Sequence, residues 1–165
     1  IPITNGVHLP TWVHPAKADL YEYQLHSIFE NPKRFNESNS IDYGLFRQAH
    51  EKAQTDLFGL IRGSTRSTFD HGMLTMGFAR RGVEYKRADL VLYDLERLAK
   101  IIKGKAQIVF AGKAPPGDNK SKELIQRVWQ KCKELREMYG VNAAFIPDYD
   151  IGIGAALVGG LGTSG

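Results

Sequence analysis

Four cationic side chains are concentrated in one short stretch that follows an apolar run. They are Arg80, Arg81, Lys86 and Arg87. Arginine offers a planar bidentate fork for phosphate oxygens, and lysine offers a compact positive charge. Because neighbouring cations repel one another, an anion bound among them would relieve the repulsion. The pattern favours a phosphate site, and the other interpretation is a solvated basic turn whose charges pair with Glu84 and Asp89.

Three apolar runs must position these cations. They begin at Met73, Gln107 and Val141, at equal intervals of 34 residues (73 to 107 to 141). A helix is predicted after each run: from about Arg87, after a cap at Asp118 or Asn119, and from Ile151 to Val158. This alternation predicts right-handed βαβ crossovers. The expected fold class is α/β, a Rossmann-like parallel sheet with flanking helices.

Ligands of open parallel sheets bind beyond the carboxyl ends of the strands. Three predicted loops lie there, namely 80–85, 112–119 and 147–150. The first is expected to enter a helix N-terminus, whose partial positive charge attracts anions. The second is either a ligand loop or an ordinary connection that caps a helix. In the third, Tyr149 either touches a ligand or is a half-buried wall residue.

The first part of the chain is expected to be less regular. Residues 1–11 are predicted to form a loop, followed by short helices broken at Pro15 and Pro32. A longer helix is predicted from a cap at Ser40 to about Gly63. These patterns predict two units: an entry loop and helical segment over 1–62, and an incomplete Rossmann-like βαβ domain over 63–165.

Composition excludes several classes of protein. With 42% hydrophobic and 24% charged residues, the chain has the composition of an ordinary globular domain. No apolar run approaches the roughly 20 residues that span a bilayer, so no membrane partner is predicted. The single cysteine, Cys132, cannot form an internal disulfide, which favours a reducing, cytoplasmic location. The five histidines lack metal-ligand spacing, so no metal is predicted.

Four segments, in this order, resemble one enzyme family. They are 4–12, 77–90, 108–125 and 162–165, and the last reads Gly-Thr-Ser-Gly. Together they are similar to the C-terminal domain of α-glucan (glycogen/maltodextrin) phosphorylases of the short bacterial and archaeal type. The resemblance implies the C-terminal half of a two-domain GT-B glycosyltransferase fold, with the active site between the domains.

The resemblance also implies an activity. Phosphorylases move a terminal glucose from an α-1,4-glucan to inorganic phosphate and give α-glucose 1-phosphate with retained configuration. The implied cofactor is pyridoxal 5'-phosphate, whose phosphate group donates and accepts a proton. The implied partners are the glucan and phosphate, without nucleic acid, and the intact enzyme is expected to be a homo-oligomer.

Site residues follow from the matching motifs. Arg81 and Lys86 would hold the substrate phosphate and are the predicted catalytic residues. The predicted sugar-binding residues are Asn5, Tyr85 and Gly162, the last through its backbone N–H. The predicted cofactor-binding residues are Arg80, Tyr149 and Thr163.

The sequence also departs from the family pattern. In the family, the lysine that forms the Schiff base with the cofactor directly follows the Gly-Thr-Ser-Gly motif, and it is not present in this chain. Gly160 runs straight into Leu161, as if an intervening segment were missing, and the region 61–69 is short. The chain is therefore interpreted as a fragment that is inactive by itself.

Two other functions fit part of the pattern. A nucleotide-sugar-dependent glycogen or starch synthase also places arginine and lysine at a diphosphate, but it needs no pyridoxal phosphate. A non-catalytic basic Rossmann-like module that binds nucleic acid would interleave aromatic residues with exposed cations on one face. Here the cations cluster at a single loop.

Overall fold

The computed structural model describes residues 6–162. The first third of this part is helical, and strands and helices alternate after it. The helices are α1 (Leu9–Trp12), α2 (Pro15–Leu25), α3 (Tyr43–Thr65), α4 (Leu95–Ile102), α5 (Asn119–Tyr139) and α6 (Ile151–Gly160). The strands are β1 (Leu74–Ala79), β2 (Ala106–Ala111) and β3 (Ala143–Ile146).

The three strands form one parallel sheet in the order β1-β2-β3. Their register aligns Phe78 with Phe110 and Phe110 with Phe145, so that equivalent positions of the three apolar runs lie side by side. Every residue of β2 and β3 is buried, as is usual for parallel strands covered on both faces. The predicted α/β class with a Rossmann-like parallel sheet is confirmed.

Each face of the sheet carries its own helices. Side chains of successive strand residues point to opposite faces, and Phe110 and Val109 accordingly belong to different apolar clusters. One cluster joins the sheet to α4 and α5, and the other joins it to α3 and α6. The strand β2 contributes to both, so it forms the centre of the core.

The helix predicted from about Arg87 begins later than expected. Arg87 has a left-handed backbone (φ 51°), which ends a short 3-10 turn over Glu84–Lys86. A second 3-10 turn follows over Leu90–Leu92, and α4 begins only at Leu95, capped by the Asp94 side chain. The cationic loop therefore does not enter an α-helix directly, and the helix dipole contributes little to any anion bound there, because its effect falls off within one turn.

Other predicted boundaries also differ from the structure. Pro15 and Pro32 begin helical segments, because proline lacks only an N–H that the first turn leaves unpaired. Asp42, rather than Ser40, caps α3 by accepting a hydrogen bond from the Leu45 N–H at 2.8 Å. The helix α3 runs through position 62 and packs against α6 and β3. The division into 1–62 and 63–165 stays a prediction.

Candidate functional site

Backbone hydrogen bonds hold the three loops together at the carboxyl edge of the sheet. The Arg80 N–H donates to the Ala111 carbonyl at 3.2 Å, and the Gly82 N–H donates to the Lys113 carbonyl at 3.1 Å. The loop after β2 is also joined to the end of β3, because the Gly112 N–H donates to the Ile146 carbonyl at 3.3 Å. The ladder of the sheet thus continues past the ends of the strands and fixes the loops relative to one another.

A cleft of about 850 Å³ opens at the end of β1. Its volume is within the range of small-molecule and cofactor sites. The cleft lies between the end of β1, the first described residues of the chain, α1 and α6. Arg80 and Tyr149, both predicted from the sequence to bind a cofactor, line it together. The remaining lining is largely apolar and includes Trp12, Leu157, Val158 and Leu161.

Two glycines shape this cleft. A Cβ at Gly154 would lie 2.8 Å from the Tyr149 hydroxyl and 3.2 Å from the Trp12 ring. A Cβ at Gly77 would lie 2.4 Å from Leu161 Cδ1. The distances of 2.8 and 2.4 Å are shorter than a Cβ tolerates unless its neighbour moves, so the absence of side chains at Gly154 and Gly77 keeps Tyr149 and Leu161 where they line the cleft.

The remaining cations lie on the exposed loop beside the cleft. Arg81 and Lys86 are exposed, and neither lines the cleft itself. The Lys86 ammonium lies 4.8 Å from the centroid of the Tyr85 ring, a cation–π contact. Tyr85 is 69% exposed, so both side chains are accessible to a ligand.

Within residues 6–162, the cations of the loop form no salt bridge with Glu84 or Asp89, the pairing that the other interpretation of the sequence would require. In this range no salt bridge involves any cation of the loop. Asp89 instead contacts Arg127, at 3.6 Å between Oδ2 and Nη2. The positive charge of the loop is therefore left without a protein counter-ion in the described structure.

Gly162 lies against the outer edge of β1. It exchanges two backbone hydrogen bonds with Thr75, and its N–H donates to the Thr75 carbonyl at 2.9 Å. Its φ of +114° is a conformation that side-chain-bearing residues rarely adopt. A contact of this N–H with a sugar would need the bridge to Thr75 to open. Asn5 and Thr163 lie outside the described residues.

A buried histidine packs against the same glycine. His50 Nε2 lies 3.7 Å from where a Cβ of Gly162 would be. Burial lowers the pKa of His50, because the charged imidazolium loses its hydration there, and the positive charge of Lys17 lowers it further. The lowered pKa favours the neutral form of His50 at neutral pH.

No group of three histidine, cysteine, aspartate or glutamate side chains in the range 6–162 is arranged to hold a metal ion. Over the same range, none of the helices has the length and apolarity that crossing a membrane requires.

Comparison with known proteins identifies the family. No family model matches the sequence. The chain is 34% identical over 176 aligned positions to glycogen phosphorylase of Aquifex aeolicus, a match that covers 90% of this chain and 25% of that protein. It is 32% identical over 181 positions to maltodextrin phosphorylase of Thermococcus litoralis, covering 96% and 21%. The chain belongs to the glycogen/maltodextrin phosphorylase family. It spans about a quarter or less of the length of these relatives.

The alignments also show that phosphorylases have internal residues which this chain lacks. The match to the Thermococcus litoralis protein extends over 181 positions, whereas the whole chain has 165 residues. At least 16 positions (181 minus 165) must therefore be occupied only in that relative. That the missing segments lie at 61–69 and between Gly160 and Leu161 stays a prediction.

The sequence pattern missed part of the cleft of this phosphorylase-family chain. Gly154 and Leu157 were predicted only as residues of a short helix, and both line the cleft. A signal was available for the first, because Gly152 and Gly154 interrupt a helix, where glycine is unfavourable without a local reason. Leu157 carried no such signal, since an apolar helical residue most often packs in a core.

Proposed function

We propose that this chain forms the phosphate- and cofactor-binding part of an α-glucan phosphorylase. The intact enzyme would transfer a terminal glucose from an α-1,4-glucan to inorganic phosphate and release α-glucose 1-phosphate with retention. The observation that carries the proposal is the set of loop cations without a protein counter-ion, beside the cleft that Arg80 and Tyr149 share. The names of the relatives supply the substrate class.

Arg81 and Lys86 would bind the substrate phosphate. The two side chains are exposed and lie on a loop whose backbone is joined by the Gly82–Lys113 hydrogen bond to the loop that follows β2. A cation held in this way needs little reorganisation when negative charge develops on the transferred group, and such preorganisation lowers the barrier. Tyr85, next to Lys86, and Asn5 would hydrogen-bond to hydroxyls of the glucosyl unit. Gly162 would do so through its N–H once released from Thr75.

The cleft fits pyridoxal 5'-phosphate, which combines a flat aromatic ring with an anionic group. Trp12 and Val158 offer apolar walls for a ring, and the bare backbone at Gly154 leaves Tyr149 and Trp12 close together. Arg80, at the rim, would pair with the cofactor phosphate, and Thr163 would contact it too. When bound, the cofactor supplies a phosphate group that donates and accepts a proton.

The remaining parts of the proposal concern the intact protein. We expect a second Rossmann-like domain to face this one in a GT-B arrangement, so that the substrate phosphate lies between the two. Residues 1–62 would serve as the entry segment, and 63–165 as part of the C-terminal domain. We also expect a cytoplasmic homo-oligomer.

The first prediction tests the phosphate site in the full-length protein that carries this segment. Arg81→Ala and Lys86→Ala should each lower kcat/KM for phosphorolysis by about 10²-fold or more, because each removes a preorganised charge. Titration with inorganic phosphate, followed by calorimetry, should show weaker binding. Absorbance of the bound cofactor should stay unchanged. That result would show that the lower activity comes from weaker binding of the substrate phosphate and not from loss of the cofactor.

Arg97→Ala is the matched control. Arg97 is an exposed cation on α4 that belongs neither to the cationic loop nor to the lining of the cleft. Its removal changes the net charge by the same amount and should leave kcat/KM near the wild-type value. Equal losses in all three variants would show that only overall charge matters, and the assignment of Arg81 and Lys86 would then be wrong.

A further inference from the structure

A groove of about 420 Å³ lies beside β3, at the other margin of the sheet from the cleft. Its volume is within the range of ligand sites. It is formed by α5, the last residues of α3 and the end of β3. Its lining includes Ser64, Lys122, Ile125, Trp129, Arg136 and Phe145. We call it the edge groove.

The backbone of β3 has hydrogen-bonding groups on the side of this groove. The Ile146 carbonyl accepts from the Gly112 N–H at 3.3 Å, so the backbone groups of Phe145, one residue earlier, face away from β2. Ala143 faces the same way, and its carbonyl accepts a hydrogen bond from the Arg136 guanidinium. Within residues 6–162, the N–H and the carbonyl of Phe145 have no hydrogen-bond partner.

These unpaired groups point to a missing neighbour. Phe145 is only 9% exposed, and buried backbone groups are nearly always paired in folded proteins. A strand at the margin of a sheet can pair with one more extended segment. The edge groove therefore offers a donor and an acceptor to an added strand, which is a common mode of peptide recognition.

The groove is also positively charged. Lys122 and Arg136 line it, and no carboxylate does. Over the described range, neither cation forms a salt bridge. An acidic ligand would supply the missing counter-charge. A second copy of the chain, paired through the same edge, would instead bring the same two cations together.

An accessible aromatic side chain lies between the two cations along α5. Trp129 is 49% exposed and lines the groove together with Ile125. Tryptophan carries a large apolar surface and is a frequent anchor in protein interfaces. It would pack against one apolar side chain of the added segment.

We propose that the edge groove binds an extended, acidic segment of a partner protein, which adds to the sheet as a strand beside β3. Lys122 and Arg136 are 14 residues apart on α5 (136 minus 122), which is about 21 Å along a helix. The first and last residues of a seven-residue strand are about 20 Å apart. A seven-residue segment with a carboxylate at each end and an apolar residue between them therefore matches the groove. This inference does not depend on the proposed function.

The test titrates a designed peptide into the full-length protein and follows binding by calorimetry. The peptide is Glu-Thr-Val-Thr-Phe-Thr-Glu, acetylated and amidated at its ends. Its glutamates, valine and phenylalanine share one face of a strand. Lys122→Ala should weaken its binding by about 2- to 5-fold, the range of a partly exposed ion pair. Trp129→Ala should weaken it by about 3- to 10-fold, through loss of an aromatic contact.

Lys120→Ala is the matched control for charge. Lys120 is an exposed cation on α5 that does not line the groove, so this variant should bind the peptide as the wild type does. Thermal midpoints should stay equal among the variants. If Trp129→Ala lowers the midpoint, the comparison of Lys122→Ala with Lys120→Ala decides alone.

Two methylated peptides test whether the ligand adds as a strand. Only alternate residues of a strand donate to one neighbour. One peptide is N-methylated on its three threonines and the other on its valine and phenylalanine. One of them should lose binding and the other should keep it.

Several results would overturn the proposal. They are no binding by the wild type, equal binding by Lys122→Ala and Lys120→Ala, and equal binding of the two methylated peptides. Displacement of the peptide by oligouridine would show a nucleic-acid site instead. Conversion of a dimer to monomers by the peptide would show that a second copy occupies the groove.

Discussion

Single glycines in this molecule have opposite structural roles. Gly160 ends α6 where the helix meets α3, and a Cβ there would lie 2.7 Å from both the Ala53 carbonyl oxygen and Leu57 Cβ. Gly59 lies on the exposed side of α3, and a Cβ there would have nothing within 4 Å. The close approach of α6 to α3 thus depends on the first glycine and not on the second.

A pair of alanine substitutions tests this contrast. Gly160→Ala should lower the free energy of unfolding by about 1–3 kcal/mol, because the added Cβ would force α6 away from the backbone and the Leu57 side chain of α3. Gly59→Ala should raise it by about 0.5–1 kcal/mol, because alanine favours an exposed helix interior over glycine. Urea unfolding followed by circular dichroism measures both changes. A gain of stability in Gly160→Ala would show that α6 is not packed as closely as described.

The helix that crosses from β2 to β3 depends on its first residues. Asp118 caps α5, since its carboxylate accepts hydrogen bonds from the Ser121 N–H at 3.0 Å and the Ser121 hydroxyl at 2.5 Å. These bonds favour the ionised form and lower the pKa of Asp118. A carboxyl with a lowered pKa stabilises the folded state at neutral pH. That contribution is lost as the pH falls from the unfolded pKa through the folded one.

Capping at Asp118 gives a prediction with a control in the next residue. Asp118→Ala should lower the thermal midpoint at neutral pH, because the first turn of α5 loses its acceptor. Asn119→Ala, which changes a residue of the helix proper, should have a smaller effect. The difference between wild type and Asp118→Ala should shrink as the pH falls through the acidic carboxyl range. A larger effect at Asn119, or a difference that grows in acid, would contradict this cap.

The accuracy of the sequence prediction differed between elements for physical reasons. The strands were predicted because a parallel strand buried on both faces leaves a short apolar run, such as 107–111. The start of α4 was missed because Leu92 and Leu95 continue the three-residue spacing of a helix, although Leu92 lies in a 3-10 turn. Local pattern does not distinguish these two kinds of turn.

The cleft was predicted only in part. Arg80 and Tyr149 follow two different strands, so parallel topology alone was enough to bring them to one edge. Trp12 reaches the same cleft from α1, far away in sequence. Its position depends on the packing of α1 against α6, and no periodicity of the sequence encodes such a contact.

The described molecule has one sheet with a core on each side, and both cores share β2. Ile108 belongs to the core that includes α4 and α5, whereas Ile146 belongs to the core that includes α3 and α6. Because neither core can form without the sheet, we expect the two to unfold together. Trp12 on α1 and Trp129 on α5 place a fluorescent reporter on two different helices.

Matched substitutions on the two faces test this coupling. Ile108→Val and Ile146→Val should each lower the free energy of unfolding by about 0.5–1.5 kcal/mol, because each deletes one buried methylene. Each should shift the whole transition, with fluorescence and circular dichroism giving the same midpoint. Two separate transitions, each sensitive to only one substitution, would mean that the faces unfold independently.

The bridge between Thr75 and Gly162 has a consequence for self-association. An uncovered edge strand presents a row of free N–H and C=O groups that can template pairing with another molecule. Here both Thr75 groups are occupied by Gly162, and Leu161 lies over the Cβ position of Gly77. Residues 161 and 162 thus cover the outer edge of β1. Displacing them would expose an edge that can pair with a strand of another molecule.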